Sequence, residues 1–179
     1  MQQLGDRVPS RLIVAHLGSG ASVSAIKEGR SIDNSMGLTP TGGVMMATRC
    51  GDLDPGLLVY LVRRGYEAER LEELLDKQSG LAGVSELTGD FETLKASNSD
   101  KARFAIGMFC YSVSKAIAAM VVALGGLDLL VFTGGIGEHD EEVRAQIVSQ
   151  LSWIGRFRQA VLSAQEEIVI ARHAEYLAR

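Results

Sequence analysis

The sequence predicts an α/β fold with a central mixed sheet and helices on both faces, and three observations carry that expectation. Residues Arg11 to Asn34 alternate and turn as a β-meander does. An apolar run of strand length, Leu127-Asp-Leu-Leu-Val-Phe-Thr133, feeds straight into three glycines and a polar, helix-like segment. Most of the chain between these two regions has helical period.

In the meander the strands are Leu12-Ile-Val-Ala15, Ala21-Ser-Val-Ser-Ala-Ile26 and Arg30-Ser-Ile-Asp33, with Glu28-Gly29 as the second hairpin turn. The first turn, Gly18-Ser-Gly20, permits backbone shapes that let N–H groups point inward at a ligand. Ser35 to Gly43 has neither strand nor helix period and reads as a loop. Asp54-Pro55 is an N-cap followed by proline at the first helical position, opening a helix through Leu57, Leu58, Leu61 and Val62 that stops near Gly65. A second helix carries Leu71, Leu74 and Leu75 and ends at Gly80, and Asp90-Phe-Glu-Thr-Leu94 is a short third. The fourth, Ser99 to about Leu124, is apolar nearly all round, which predicts burial on most sides, and Gly125-Gly126 ends it. Beyond the Leu127 strand, Asp140 to Leu151 is helical by the spacing of Val143, Ile147 and Leu151. Gly155 to Gln165 has a poor signal, and Glu166 to Ala178 closes the chain as an amphipathic helix. There are no repeats, low-complexity runs or linkers.

At 179 residues the chain is one domain that can bury roughly 70% of its unfolded surface. With 46% hydrophobic residues and only 6% aromatics, the core is built mainly from Leu, Val, Ile, Ala and Met. A net charge of −4 without a basic patch argues against a nucleic-acid partner. Cys50 and Cys110 fit no metal-ligand spacing and read as reduced thiols of a cytosolic protein. The N-terminus lacks a secretory pattern, and the longest apolar stretch, Ala116 to Leu127, is too short to cross a bilayer. A cytoplasmic protein with no membrane partner is expected.

A strand that ends in a backbone-exposing turn is where α/β proteins place nucleotides. With His16-Leu-Gly-Ser-Gly20 and Ser35 to Gly43, the Gly134-Gly135-Ile136-Gly137-Glu138 stretch points to a phosphate-bearing ligand. No Gly-Lys pair exists, which excludes a P-loop, and Val23 stands where the dinucleotide fingerprint needs its third glycine. Arg49 offers a planar, permanent charge suited to a transferring phosphoryl group, or else an ion pair with Asp52 or Asp54. His16 reads as the wall of a pocket. Glu138, Asp140, Glu141 and Glu142 complement a helix dipole and would repel a bare phosphate, so the glycines before them suit a nucleoside better than its terminal phosphates. Glu166 is either a solvated first-turn carboxylate or a ligand for a hard cation, and Glu167 diverges from it by about 100 degrees. His139 and His173 read as surface residues, Trp153 as a core edge, and Met45-Met46 as packing.

Five stretches in order resemble the acetate kinase family: Ala15 to Ser22, Asp33 to Pro40, Ala47 to Pro55, Phe132 to Glu138 and Glu166 to Arg172. The resemblance implies the ribonuclease H-like topology shared by acetate and sugar kinases, Hsp70 and actin. It covers nearly the whole chain but only the C-terminal, nucleotide-binding half of the family's enzyme, with the N-terminal domain absent. It further implies ATP/ADP and Mg2+ as cofactors, reversible phosphoryl transfer to a short carboxylate such as acetate to give an acyl phosphate, and a homodimer. By the same resemblance Arg49 is catalytic, and His16, Leu17, Gly18, Ser19 and Gly20 bind the nucleotide phosphates. Gly134, Gly135, Ile136, Gly137 and Glu138 line the adenosine, Asp90, Phe91 and Glu92 contact adenine, and Glu166 serves magnesium. Two departures stand out: Glu92 replaces the family's usual arginine, and Arg156 to Ser163 replaces a longer, strand-bearing segment. A fragment, one chain of a split enzyme, and a non-catalytic nucleotide or oligomerisation module are the three readings left open.

Overall fold

The computed structural model describes residues 4, 5 and 8–177, with the backbone alone at 166, 169, 172 and 173. Five strands, β1 (Arg11–Leu17), β2 (Ala21–Lys27), β3 (Arg30–Asn34), β4 (Leu129–Thr133) and β5 (Arg158–Val161), form one sheet in the order β3-β2-β1-β4-β5. The meander β1-β2-β3 is antiparallel, whereas β4 runs parallel to β1 and β5 parallel to β4. The mixed sheet expected from sequence is therefore present. Glu28 and Gly29 both have positive φ, 49° and 80°, the twisted two-residue turn that a tight hairpin requires.

The described residues also form eight α-helices, α1 (Pro55–Arg63), α2 (Ala68–Lys77), α3 (Gly80–Ser85), α4 (Phe91–Ala96), α5 (Asp100–Leu124), α6 (Gly134–His139), α7 (Glu141–Ser149) and α8 (Glu166–Leu177), and a 3-10 turn at Ser152–Ile154. Asp54 caps α1 by accepting the Gly56 N–H, with Pro55 at the first position, as the sequence predicts. α5 ends in a Schellman motif: Gly126 N–H donates to the Val121 carbonyl and Gly125 N–H to that of Val122.

The main core lies between α5 and one sheet face, where Ile13, Ala15, Val23, Phe109, Val113, Ile117, Leu130 and Phe132 are buried together. The opposite face carries a smaller cluster of Leu12, Leu129 and Val131, packed by Val8, Val14, Ile26 and Leu162. α5 departs from the expectation of burial on most sides. One flank packs on the sheet while Phe104, Tyr111 and Val122 are 64%, 59% and 78% exposed. At 25 residues it is long and apolar enough to span a bilayer by length and composition, which corrects the shorter estimate from sequence; its ten buried residues are those of a core helix. α1 buries none of its residues fully. Trp153, expected at a core edge, is 63% exposed, whereas Met45 and Met46 are buried as packing residues.

At the base of the sheet, Arg11 N–H and Nε donate to the Asp128 carboxylate (3.0 and 3.1 Å), and Asp128 N–H donates to the Arg11 carbonyl (3.0 Å). Each group moves the other's titration: the hydrogen-bonded carboxylate raises the Arg11 pKa, and the guanidinium lowers that of Asp128. This double contact starts β1 and β4 together and leads to the pairing of His16 with Thr133 at the other end.

Candidate functional site

Because β1 and β4 are parallel and end level, their following turns lie side by side at the carboxyl edge of the sheet. A β-carbon on Gly134 would sit 2.7 Å from the Leu17 carbonyl oxygen and 3.1 Å from His16 Cε1, and its φ of +80° is one side chains rarely adopt. Only glycine lets β4 close against β1 there. The first turn is held by Gly18 N–H donating to the Gly20 carbonyl (3.0 Å), and Ala47 N–H donates to the Ser19 carbonyl (3.2 Å). That second bond brings in the segment carrying Arg49.

The Arg49 segment is fixed by backbone bonds from the start of α3. Ser79, Leu81 and Ala82 N–H groups donate to the carbonyls of Thr48, Met46 and Ala47 at 3.0, 2.8 and 3.0 Å, and Met46 N–H closes on the Arg49 carbonyl at 3.1 Å. Among the described residues Arg49 has no carboxylate partner. The two candidates are engaged elsewhere: Asp52 accepts the Gly43 N–H (2.7 Å) and Asp54 the Gly56 N–H (2.8 Å). The guanidinium has only a long contact to the Pro40 carbonyl (3.4 Å) and one to the Met46 sulfur (3.7 Å). Its Nη1 lies 3.5 Å from where a β-carbon on Gly20 would stand, against the first glycine turn.

Two hollows meet over these turns. One, of about 780 Å³, is bounded by His16, Gly18–Ser22, Gly134 and Gly135, and by Ala164, Gln165, Glu167 and Ile168 at the start of α8. The other, of about 630 Å³, shares Gly18, Ser19 and Gly135 with it and extends along Thr48, Gly89–Glu92, Ile136 and His139. The sequence-predicted residues His16, Gly18, Ser19, Gly20, Asp90, Phe91, Glu92, Gly134, Gly135 and Ile136 are thus gathered around one cleft.

Other expected residues serve differently. The Leu17 side chain is fully buried in the core, and a β-carbon on Gly137 would stand 3.6 Å from both Leu17 and Phe132. Phe91 turns its ring edge-on to Phe109 at 5.6 Å, leaving little of it for a base. The Asp90 carboxylate caps α4 through the Thr93 N–H (2.8 Å) and hydroxyl (2.5 Å), and those bonds hold its pKa below the usual carboxylate range. Gly134 to Glu138, read as a turn, forms the short helix α6. Glu138 does not border either hollow. The side chains of Glu166 and His173 lie outside the described residues.

Sequence reasoning missed Thr48, Gln165, Glu167 and His139 as cleft walls. Thr48 stands next to Arg49 and His139 directly follows the glycine stretch, so proximity to a motif was the available signal. Lys95 also escaped notice: its Nζ lies 2.8 Å from the buried Asp140 and 3.1 Å from Glu142, binding α4 to the start of α7, and these carboxylates raise its pKa.

The donor set decides what the cleft can hold. Among the described residues no cluster of three or more His, Cys, Asp or Glu could cage a metal ion. A hard cation that arrives on phosphate oxygens needs only one or two carboxylates, and Glu167 stands on the wall opposite the first glycine turn. Backbone amides, a guanidinium with no carboxylate partner among the described residues and a flat glycine wall suit a polyphosphate nucleotide with its cation.

The strand order, the antiparallel meander followed by parallel strands, and a cleft over two glycine turns define an actin-like ATPase domain of ribonuclease H-like topology. The sequence model of the Acetokinase family matches residues 2–174, and the chain belongs to that family. It is 49% identical over 149 residues to Acetate kinase 2 of Neisseria meningitidis, covering 81% of this chain and 37% of that protein. It is 42% identical over 161 residues to the acetate kinase of Acaryochloris marina, covering 88% and 40%. Among solved structures, Porphyromonas gingivalis acetate kinase superposes with a TM-score of 0.90 at 33% identity over 99% of this chain and 52% of that one. A propionate kinase from Francisella tularensis gives 0.88 at 34% identity over 95% and 50%. The chain spans about two fifths of the length of the curated relatives it matches and about half of these solved chains.

Proposed function

We propose that this chain is the nucleotide-binding part of a cytoplasmic carboxylate kinase. It holds ATP while the γ-phosphoryl group passes to a short carboxylate, such as the acetate or propionate named for its relatives, and holds ADP when an acyl phosphate returns that group. The observation that carries this reading is Arg49, a guanidinium without a carboxylate partner among the described residues, seated against the Gly18–Gly20 turn.

In this reading the amides of Ser19 and Gly20 face the β- and γ-phosphates, with the Gly18 amide closing the turn on the Gly20 carbonyl and His16 as a wall. Gly135 and Ile136 lie against the adenosine, whose base extends toward Asp90–Glu92. Arg49 meets charge spread over the equatorial oxygens of the transferring group, stabilisation that is stronger in the transition state than in the ground state. Magnesium would be held through Glu166 and would neutralise phosphate charge. The acceptor pocket and the in-line geometry come from an N-terminal domain or a partner chain outside this sequence. Two copies pair through the exposed apolar surface of α1 and the outer flank of α5, where Val59, Tyr60, Phe104 and Tyr111 face outward.

Calorimetric titration of ATP and ADP, with and without Mg2+, tests this. Magnesium-dependent binding of both nucleotides is expected, with little or no turnover by the chain alone. Absence of nucleotide binding would overturn the reading. Acetate kinase activity of the isolated chain near that of a complete enzyme would overturn the external acceptor site.

A further inference from the structure

We propose that Glu138 is a positioning residue that ties the start of α8 to the glycine end of β4 and so sets the width of the cleft between them. Its Oε1 accepts the Gly134 N–H at 3.0 Å and the Ala164 N–H at 2.8 Å, and its Oε2 accepts the Ser163 hydroxyl at 2.9 Å. One carboxylate thus joins the first residue after β4 to a segment that lies 25 and 26 residues beyond Glu138 itself.

After β5 the Leu162 N–H donates to the Phe132 carbonyl at 3.0 Å, and two residues further on the Ala164 N–H donates to Glu138. Immediately beyond stand Gln165, Glu167 and Ile168, which form the side of the 780 Å³ hollow facing Gly18–Ser22. Glu138 is itself anchored from behind, because Arg144 Nη1 donates to the carbonyls of Gly137 (3.0 Å) and Glu138 (2.9 Å). The geometry runs from a fixed short helix, through one side chain, to the wall that carries Glu167.

The same contacts leave the leading amide of α6 occupied by an internal carboxylate and so closed to a phosphate. Glu138 accordingly acts through α8 and touches no substrate. This inference rests on reading the hollow as the phosphate and cation end of the nucleotide site.

The test combines amide hydrogen exchange with nucleotide calorimetry on Glu138→Ala, Glu138→Gln and Ser163→Ala. In Glu138→Ala the Gly134 and Ala164 amides should exchange about tenfold faster or more, while β1, β2 and α5 are unchanged. ADP with Mg2+ should bind roughly tenfold more weakly, the lower end for residues that orient a metal site, with ADP alone shifted less than twofold. Glu138→Gln keeps an acceptor oxygen for the two amides and a donor for the Ser163 oxygen, so it should recover most of the protection and affinity. Unchanged exchange at Ala164, or equal loss of affinity with and without Mg2+, overturns the proposal. If Glu138→Ala unfolds globally, Ser163→Ala decides: faster exchange confined to the segment before α8 supports the tie, and no change overturns it. Failure of the unaltered chain to bind ADP would instead remove the nucleotide reading, with the exchange result still deciding whether Glu138 positions α8.

Discussion

Arg49 and Gly20 are a matched pair: the guanidinium Nη1 occupies the space beside the turn, 3.5 Å from where any β-carbon on Gly20 would project. Among the described residues that planar cation is held at the rim of the cleft by fit and not by an ion pair. In a complete enzyme carrying these residues, Arg49→Ala should lower kcat by about 10³-fold, the order seen when an arginine is removed from a phosphoryl-transfer site. Arg49→Lys should restore little, since an ammonium cannot bridge two oxygens with a planar fork. Thermal unfolding should barely move, because the side chain makes only two long contacts. Retention of activity within threefold in Arg49→Ala would remove it from the chemistry.

Gly134 and Gly135 separate structure from binding. Gly134→Ala places a β-carbon 2.7 Å from the Leu17 carbonyl at a φ of +80°, and should destabilise the fold by about 1–3 kcal/mol in urea unfolding. A β-carbon on Gly135 meets no atom within 4 Å, so Gly135→Ala should leave stability within about 0.5 kcal/mol while weakening nucleotide binding in calorimetry. Equal unfolding midpoints for the two variants would contradict the packing described for β4 on β1.

Three carboxylates have folded pKa values lowered by the bonds they accept: Asp90 by Thr93, Asp128 by Arg11, and Glu138 by Ala164 first and then Ser163 and Gly134. The unfolded chain therefore binds protons more readily than the folded one. Their contribution is fully present above the unfolded carboxylate range near pH 4, and is lost as pH falls through their lower folded values. Urea midpoints measured from pH 6 to pH 3 should decline, and Glu138→Gln should flatten that decline. A slope unaffected by Glu138→Gln would mean its carboxylate is not held as described.

The two thiols should differ sharply in reactivity. Burial pushes the Cys110 thiol up to about 12, with the nearby Asp140 charge adding to the effect. Cys50 is also raised by burial, but it is only partly covered. A disulfide-exchange reagent at pH 8 should modify one thiol per folded chain, mapped by mass spectrometry to Cys50, with Cys110 reacting only in denaturant. Early modification of Cys110 would contradict the packing of α5.

Elements written in strong local signals were legible: the meander, the Asp54-Pro55 cap, and α5 with its two terminating glycines. β5 was not, because Arg158, Gln159 and Val161 are exposed and an edge strand paired only with β4 shows little hydrophobic alternation. α6 was read as a turn because three of its six residues are glycine, poor helix formers, yet Glu138 secures its first amide and Arg144 its last carbonyls. α3 was hidden by Gly80 and Gly83 in the same way. For the site, motif spacing located the glycine turns and Arg49. It could not reveal that Leu17 is core or that Glu138 faces inward to another segment, because both depend on contacts distant in sequence.

The Arg11–Asp128 contact gives the far end of the sheet a say in the cleft. Two parallel strands slipped by one residue would reverse which side chains face α5 and would carry the two glycine turns out of step. The pins at Arg11 and Asp128 stand about 16 Å from the cleft, five residues at roughly 3.3 Å each. They work as the stop of a zip, choosing which rung of β1 meets which rung of β4. Alignment of the cleft's two rims is thereby decided at the foot of the sheet.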